Sequence, residues 1–454
     1  MSAPTAHEVP LAAADRWSLV AVSGMLSFVA MFDMNIVNIA LADIADGFQV
    51  SAQTAQWAAL GYQLPLVALL LPAGRWLDAV GTRAAVLTAV GGFALCSAAA
   101  AAAPWAGALI GARMLQGAFG AVLFVLMPVL AMRSVRPELR GRAMSVPATL
   151  GPLGAVAGPA LGGLLLDHLG WRAIFLVKLP VCLAAWLIAR RHLPRSGSPT
   201  LPARAELTDA ALIAGAVAAL LLALTFSVNA PPWLLLAAPA VPLTLGWLRR
   251  SGGRPVKAAL RENRTAGLNT AVLAIAVAFA GVHYLIALHL QRDEARNATA
   301  TGLTILCFPL AMGLAGLPGG RLADRVGARP TATAGAALTA LGFLLLVPMG
   351  DSWSLPGIAW RLALAGAGMG LYGGPAQTLV MTSAAPRSVA TASSTVQLAR
   401  SLGFTLGPAL ATAAWSLGGS GTGGLHLGLG LAAGSACLAV PLLALHGRAG
   451  TRAA

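Results

Sequence analysis

The stretch Gly74-Arg75-Trp76-Leu77-Asp78-Ala79-Val80-Gly81-Thr82-Arg83 returns 246 residues later as Gly320-Arg321-Leu322-Ala323-Asp324-Arg325-Val326-Gly327-Ala328-Arg329, identical at six of ten positions. Each copy fills a short basic gap between two long apolar runs. This echo constrains the fold more than any other feature, because two homologous halves joined in one chain must be built to one plan. Two further pairs keep nearly the same offset. Trp105 and Arg113 are eight apart, as are Trp353 and Arg361, at an offset of 248. Gly154-x-x-x-Gly158-Pro159 recurs as Gly403-x-x-x-Gly407-Pro408, at an offset of 249.

The apolar runs set the class. The 454 residues are 57% hydrophobic and only 10% charged. A charge-free run of about 20 apolar residues is a membrane-spanning helix. The first six runs cover roughly 18–41, 54–74, 84–103, 106–131, 143–166 and 172–190. Two more cover roughly 208–228 and 232–248. The last six cover roughly 266–289, 301–320, 330–349, 356–381, 390–416 and 425–446. The expectation is an all-α membrane protein of fourteen spans. A six-helix bundle over 1–193 is followed by cytoplasmic linkers and two extra helices over 194–264, then a second six-helix bundle over 265–454. The extra pair reads as a hairpin turning at Asn229-Ala230-Pro231-Pro232; a twelve-span count without it would also leave both termini on one side. The 52 glycines and 28 prolines suit membrane helices, which tolerate them and use small residues for close approach. No polar gap is long enough for a separate soluble domain.

The net charge of +15 is organised by topology. Of the 30 lysines and arginines, 23 fall in alternate gaps, such as Arg133–Arg142 and Arg249–Arg264. Such gaps are retained in the cytoplasm, which puts both termini there and makes that face attractive to anionic lipid rather than nucleic acid. Arg172, Lys178, Arg292 and Arg296 fall outside those gaps, and Arg113, Arg361 and Arg400 lie within spans. Residues before Trp17 include Glu8 and Asp15 and show no cleavage-like signal, so the first span is expected to remain as an anchor. The four cysteines, Cys96, Cys182, Cys307 and Cys437, sit in apolar runs without a CxxC pair, so neither a disulfide framework nor a metal site is expected.

Parallel six-span repeats with a working site between them are a transporter architecture. The chain resembles the major facilitator superfamily, and within it the fourteen-span drug:H+ antiporters. The residues that carry the resemblance are Gly74 through Arg83 between spans 2 and 3, Arg113-Met114-Leu115-Gln116-Gly117 in span 4, Gly154-x-x-x-Gly158-Pro159-x-x-Gly162-Gly163 in span 5, Asp33-Met34-Asn35-Ile36-Val37-Asn38-Ile39-Ala40-Leu41 in span 1, and Gly170-Trp171-Arg172-Ala173-Ile174-Phe175 opening span 6. Ala79 stands where that family usually has a basic residue, whereas the second copy keeps Arg325. Ala42 replaces a usual proline after Leu41. The resemblance implies export of small organic molecules against a proton flow. It implies that Asp78 and its loop (Gly74, Gly81, Arg83) hold the halves together on the cytoplasmic side, with Gly320, Asp324, Arg325, Gly327 and Arg329 as the second copy. It also implies that Gly154, Gly158, Pro159, Gly162 and Gly163 seal the closed state by tight packing.

Asp33 alone among the 15 acidic residues lies well inside a span. An ionised carboxylate there is costly and normally needs a partner, which makes it the candidate proton site and a group that could meet a cationic substrate. Arg113 is the expected partner. Span 1 runs outward and span 4 inward, and at 1.5 Å per residue both residues sit roughly 10–12 Å below the outer surface. Arg361, its repeat counterpart, has no acid at its depth and is expected to snorkel to the interface; Arg400 has no evident acidic partner. His283 aligns with Asn35 and could relay protons or simply hydrogen-bond in the packing. Asn38, Tyr62, Gln63, Gln116, Tyr372 and Gln377 are polar positions that could line a cavity.

These readings point to a proton-coupled exporter, working by alternating access as a monomer in a plasma membrane of bacterial type, with a small-molecule substrate and protons as partners and no cofactor. An uptake carrier on the same scaffold and a non-transporting membrane sensor are the alternatives. Gly366-Ala367-Gly368-Met369-Gly370 follows no strand and lies in an apolar span, and neither lysine follows a glycine, so no nucleotide loop is expected. No nucleophile–base pair suggests an enzyme. Asn297-Ala298-Thr299 matches a short glycosylation pattern in an outer loop.

Overall fold

The computed structural model describes residues 15–194, 204–227, 231–250, 265–290, 298–350, 353–384, 388–418 and 422–445. Glu8, Arg195, Arg254, Lys257, Arg261, Arg264, Arg292, Arg296, Arg387, Arg448, Arg452, the Asn229-Ala230 turn and Asn297 lie outside these residues. Among the described residues the secondary structure is helical, with no strand. That follows from composition: in lipid, a backbone must satisfy its own polar groups, and helices do so within one segment.

The first half comprises α1 (Trp17–Ile39), the short α2 (Leu41–Phe48), α3 (Ala52–Ala79), α4 (Thr82–Ala101), α5 (Ala106–Arg133), α6 (Arg140–Leu169), α7 (Ala173–Leu176) and α8 (Leu179–His192). Then come α9 (Arg204–Ser227) and α10 (Ala240–Arg249). The second half comprises α11 (Thr265–Leu288), α12 (Ala298–Val326), α13 (Ala328–Leu344), α14 (Leu355–Thr382), α15 (Val389–Leu417) and α16 (Thr422–Leu445). Among the described residues, eight segments are long and apolar enough to cross a membrane: α1, α3, α4, α5, Ala173–His192, α11, α12 and α16.

Two expected runs are broken. Residues 232–248 form a short 3-10 helix, Pro231–Ala237, and then α10, because Pro239 removes the amide that would continue the first turn. The run 172–190 breaks between α7 and α8, where Val177 and Lys178 precede Pro180 at the start of α8. The second break has a consequence for the site, because it sets Lys178 at a bend inside the membrane.

The halves repeat in packing as well as sequence. In the first, α1 lies on α6 and α8 while α5 lies on α3 and α4; in the second, α11 lies on α15 and α16 while α14 lies on α12 and α13. Each half has its own large apolar core. The halves meet through crossed pairs, α3 on α15 and α6 on α12. The extra pair is no separate unit. Ile213, Val217 and Trp247 pack on Ala68 and Leu71 of α3. Asp209 of α9 meets Arg250 Nε at 3.0 Å and Arg75 Nη1 at 3.7 Å, so the middle segment is tied to the repeated loop.

Candidate functional site

Three sites follow from this arrangement: an ion cluster inside the first half, a pair of carboxylate–helix contacts between the halves, and a central cavity.

The cluster is built on α1. Asp33 is fully buried. Its Oδ2 accepts a hydrogen bond from Arg113 Nη1 at 2.7 Å, so the structure brings the two residues together. Arg113 Nε also donates to Ala58 O at 2.8 Å, its Nη1 to Gln116 Oε1 at 2.8 Å, and its guanidinium lies 4.4 Å from the Tyr62 ring centre. Gln116 Nε2 reaches Asp33 Oδ1 at 3.5 Å. Sequence reasoning missed Lys178, whose Nζ pairs with Asp33 Oδ1. The available signal was a lone lysine in an apolar run beside a proline. The cluster therefore holds one carboxylate and two basic side chains.

The carboxylate contacts between the halves are built from the repeated loops. Asp78, near the end of α3, accepts from the backbone amides of Ala390 at 3.0 Å and Thr391 at 2.8 Å, and from Thr391 Oγ1 at 2.6 Å. Those amides open α15 of the other half, where the helix dipole favours a negative charge. Asp324, near the end of α12, does the same to α6: it accepts from Gly141 N at 2.7 Å and Arg142 N at 3.1 Å, with Arg142 Nε at 3.4 Å. A Cβ on Gly74 would fall 2.5 Å from Ser394 Oγ, and one on Gly320 would fall 2.6 Å from Gly141 O. The two copies are not equivalent at their turns. Gly327 has φ +100°, which favours glycine, whereas Gly81 has an ordinary φ of −60°. Arg329 Nε donates to Leu443 O at 3.1 Å; Arg325 is exposed and Arg83 half-buried. At the same end Asp15 accepts from Arg136 N at 3.0 Å, and this backbone hydrogen bond, with the Arg136 side chain, holds its carboxyl below the usual range.

The glycine-rich face of α6 meets α1. A Cβ on Gly154 would lie 2.3 Å from Phe28 O, and Gly158 and Gly162 face Asn35 and Ile36 at 3.1 and 3.0 Å. The second half repeats this: a Cβ on Gly407 would lie 2.6 Å from Val277 O. Gly163 is a correction to the expected packing face, since nothing lies within 4 Å of it; one residue further along a helix turns to another side. Pro159 lies within α6, its side chain outside the described part. Gly154→Val is accordingly expected to destabilise the protein by about 1–3 kcal/mol or to block folding, since backbone on the far side cannot give way. Gly163→Ala is expected to be neutral. Melting of the two variants in detergent by size-exclusion chromatography checks the contrast.

The cavity, about 400 Å3, lies between the halves. Six methionines line it: Met31, Met34, Met127, Met144, Met312 and Met369. Phe124, Phe279, Phe308 and Phe404 add aromatic faces. His283, Tyr372 and Gln377 line it as sequence reasoning suggested. Asn38, Gln63, Gln116 and Tyr62 do not: Asn38 is exposed and donates to Met34 O at 3.2 Å, while Gln116 and Tyr62 turn into the ion cluster. Asp33 does not line the cavity either. Met31, Met34 and Asn35 occupy the cavity face of α1, and Asp33 points to another. The reading that Asp33 meets a cationic substrate is therefore corrected. Arg361 donates to Gly357 O at 2.6 Å and lies against Trp353 and Trp360, at 4.0 and 4.4 Å from their ring centres. Arg113 has left that arrangement for the bundle interior.

Crossed contacts between two like halves around a central cavity define the fold, and comparison with known proteins decides the family. The description of the Major Facilitator Superfamily matches residues 24–408 and 265–451. The chain belongs to the Major Facilitator Superfamily. It is 30% identical over 408 residues to the multidrug resistance protein Stp of Mycobacterium tuberculosis, covering 87% of this chain and 75% of that one. It is 29% identical over 421 residues to the probable actinorhodin transporter of Streptomyces coelicolor, covering 87% and 72%. The human organic anion transporter MFSD10 has the same fold, with a TM-score of 0.67 at 19% identity over 94% of this chain and 99% of that one. This facilitator chain is thus a multi-pass membrane protein of a transporter family, with relatives named for multidrug resistance and antibiotic transport. Such facilitators are typically not enzymes.

Proposed function

We infer that this facilitator is a proton-coupled exporter of small amphipathic organic molecules or drugs, working by alternating access in a bacterial cell membrane. The observation that carries the reading is the buried Asp33 with Arg113 and Lys178 against it, on the same helix as the cavity lining but on a different face. A proton taken or released there changes the charge of a site packed between α1, α5 and α8, and so can bias helix positions that also shape the cavity. The carboxylate and the substrate site are then separate stations of one cycle. The methionine-rich cavity suits ligands of varied shape, because thioethers are flexible and polarisable. Its relatives' names support drugs as cargo.

Asp78 and Asp324 serve as the latches of one end state. Both close the same end of the cavity by binding the amides of a helix in the other half, and both must let go for that end to open. We assign this end to the cytoplasm from the basic gaps, with both termini there and anionic lipid around it. Fourteen spans are the working topology, with α9 and the Pro231–Arg249 segment as the additional pair beside α3.

The deciding experiment adds candidate drugs to the purified protein in weakly buffered detergent and follows pH. Substrate binding is expected to release protons from native protein and none from Asp33→Asn. Equal release from both would remove Asp33 from the coupling. In proteoliposomes, accumulation driven by an imposed pH gradient separates an exporter from an uptake carrier by its direction.

A further inference from the structure

One wall of the cavity carries charge that neither the coupling nor the latches use. Among the described residues, Arg400 of α15 is the only arginine, lysine or acidic side chain lining the cavity. Its guanidinium makes one hydrogen bond among the described residues, Nη2 to Gln377 Oε1 at 3.3 Å, and so keeps most of its five donors for something else. Gln377 has thereby spent its oxygen on Arg400, and its Nε2 has no partner. Tyr372 Oη beside it has none. Both residues are at least nine-tenths buried. His283, another lining residue, binds Phe279 O through Nδ1 at 2.8 Å and leaves Nε2 unpartnered.

The repeat shows that the scaffold does not require these groups. At the same 248–249 offset, the first half has Phe124 for Tyr372, Val129 for Gln377 and Gly151 for Arg400. A half of this design folds with no polar side chain at any of the three positions. Two buried polar groups without partners are costly, and the half-buried Arg400 beside them faces the cavity with most of its donors unused, so this wall calls for an acceptor. Every lining group with a formal charge is cationic or can become so. Asp33, on the same helix as Met31, Met34 and Asn35 of the lining, faces away and is matched by two basic side chains.

We propose that the cavity takes amphipathic organic anions, with Arg400, Gln377 and Tyr372 holding one acidic group of the substrate. A carboxylate, sulfonate or acidic phenol offers the oxygens that a guanidinium fork binds in pairs. The rest of such a molecule lies on Phe279, Phe308 and Phe404 and on the methionines opposite. A cationic drug would find no counter-ion among the described lining residues. This substrate class rests on the transport reading, but the binding site does not.

The test uses two dyes with one xanthene core and opposite charge, fluorescein and rhodamine 6G. Binding is read by fluorescence anisotropy on the full chain in phosphatidylcholine nanodiscs, and flux in proteoliposomes under a pH gradient. Native protein is expected to bind fluorescein in preference to rhodamine 6G. Arg400→Gln is expected to weaken fluorescein by about tenfold or more, the value of a charged hydrogen-bonding partner, and not to weaken rhodamine 6G. Arg400→Lys is expected to retain part of the preference, and Tyr372→Phe to weaken fluorescein by a few-fold; these two carry the test if Arg400→Gln does not fold. Preference for rhodamine 6G, or equal binding in all variants, would overturn the proposal and leave transport intact. Binding of neither dye would also overturn it, as would displacement of fluorescein by phosphatidylglycerol in the discs, which would give the site to a lipid headgroup. Arg400-dependent fluorescein binding without flux would uphold the anion site and sink the transport reading.

Discussion

Asp33→Asn is expected to cut proton-driven flux by about a hundredfold or more while leaving substrate affinity within a few-fold of native. The flux loss follows because an amide cannot take up or release the proton that the carboxylate carries, and the cluster adds a cost in stability. Removing one partner of a buried ion pair costs about 3–5 kcal/mol, because the remaining charge keeps its desolvation penalty. Here two basic side chains, Arg113 and Lys178, would be left facing an amide. The second expectation comes from geometry. Asp33 lines no part of the cavity, so a bound substrate does not touch it. Flux in proteoliposomes and equilibrium binding in nanodiscs, measured on the same preparation, separate the two effects. A variant that loses binding and flux together would place Asp33 in the substrate site. A variant that keeps proton-driven flux would move the coupling elsewhere. Lys178→Gln sharpens the comparison, since it leaves a cluster of one carboxylate and one arginine. Proton release that survives Asp33→Asn but vanishes in Lys178→Gln would assign the proton to the lysine.

Asp78→Ala is expected to open the latched end. The carboxylate makes three hydrogen bonds to Ala390 and Thr391, all across the interface between the halves. Hydrogen bonds to a charged group contribute about 1.5–3 kcal/mol each, and a net loss of about 3 kcal/mol shifts a two-state equilibrium by about a hundredfold. The probe is Ser394, buried where α15 meets Gly74. With Cys96, Cys182, Cys307 and Cys437 replaced, Ser394→Cys is expected to react slowly with a water-soluble maleimide, and much faster when combined with Asp78→Ala. Asp324→Ala is expected to have the smaller effect, read at Ser145→Cys, because Asp324 has two backbone partners and its arginine is 44% exposed. Unchanged labelling in both doubles would reduce the two carboxylates to topology signals.

The repeated carboxylates, Asp78 and Asp324, were the most legible part of the site. A motif written twice in the sequence is built twice in the structure, each copy reaching the helix that opens after a basic loop in the other half. The Asp33–Arg113 contact followed from depth along two antiparallel helices, because distance along a helix converts directly to distance along the membrane normal. Rotation about the helix axis did not follow. Hydrophobic periodicity fixes a buried face only when the other face is polar, and helices apolar all round give no such reference. Tyr62, Gln116 and Asn38 were therefore grouped with cavity residues although each points elsewhere. Lys178 was missed for a related reason. It reaches Asp33 only because the chain breaks between α7 and α8, which no linear spacing encodes.

By itself, the sequence determined that the chain is helical and membrane-spanning, that it is built as two like halves, that its repeated loops each carry one carboxylate, and that one acid and one arginine share a depth. These rest on composition, repetition and rise per residue, all of which are one-dimensional quantities. Tertiary structure alone decided which face each helix turns inward. That choice sequestered Asp33 with Arg113 and Lys178 and left Arg400, Gln377 and Tyr372 on the cavity wall. The physical reason is that both outcomes satisfy the same apolar pattern, and only the packing of one particular set of glycines, prolines and aromatics against another distinguishes them.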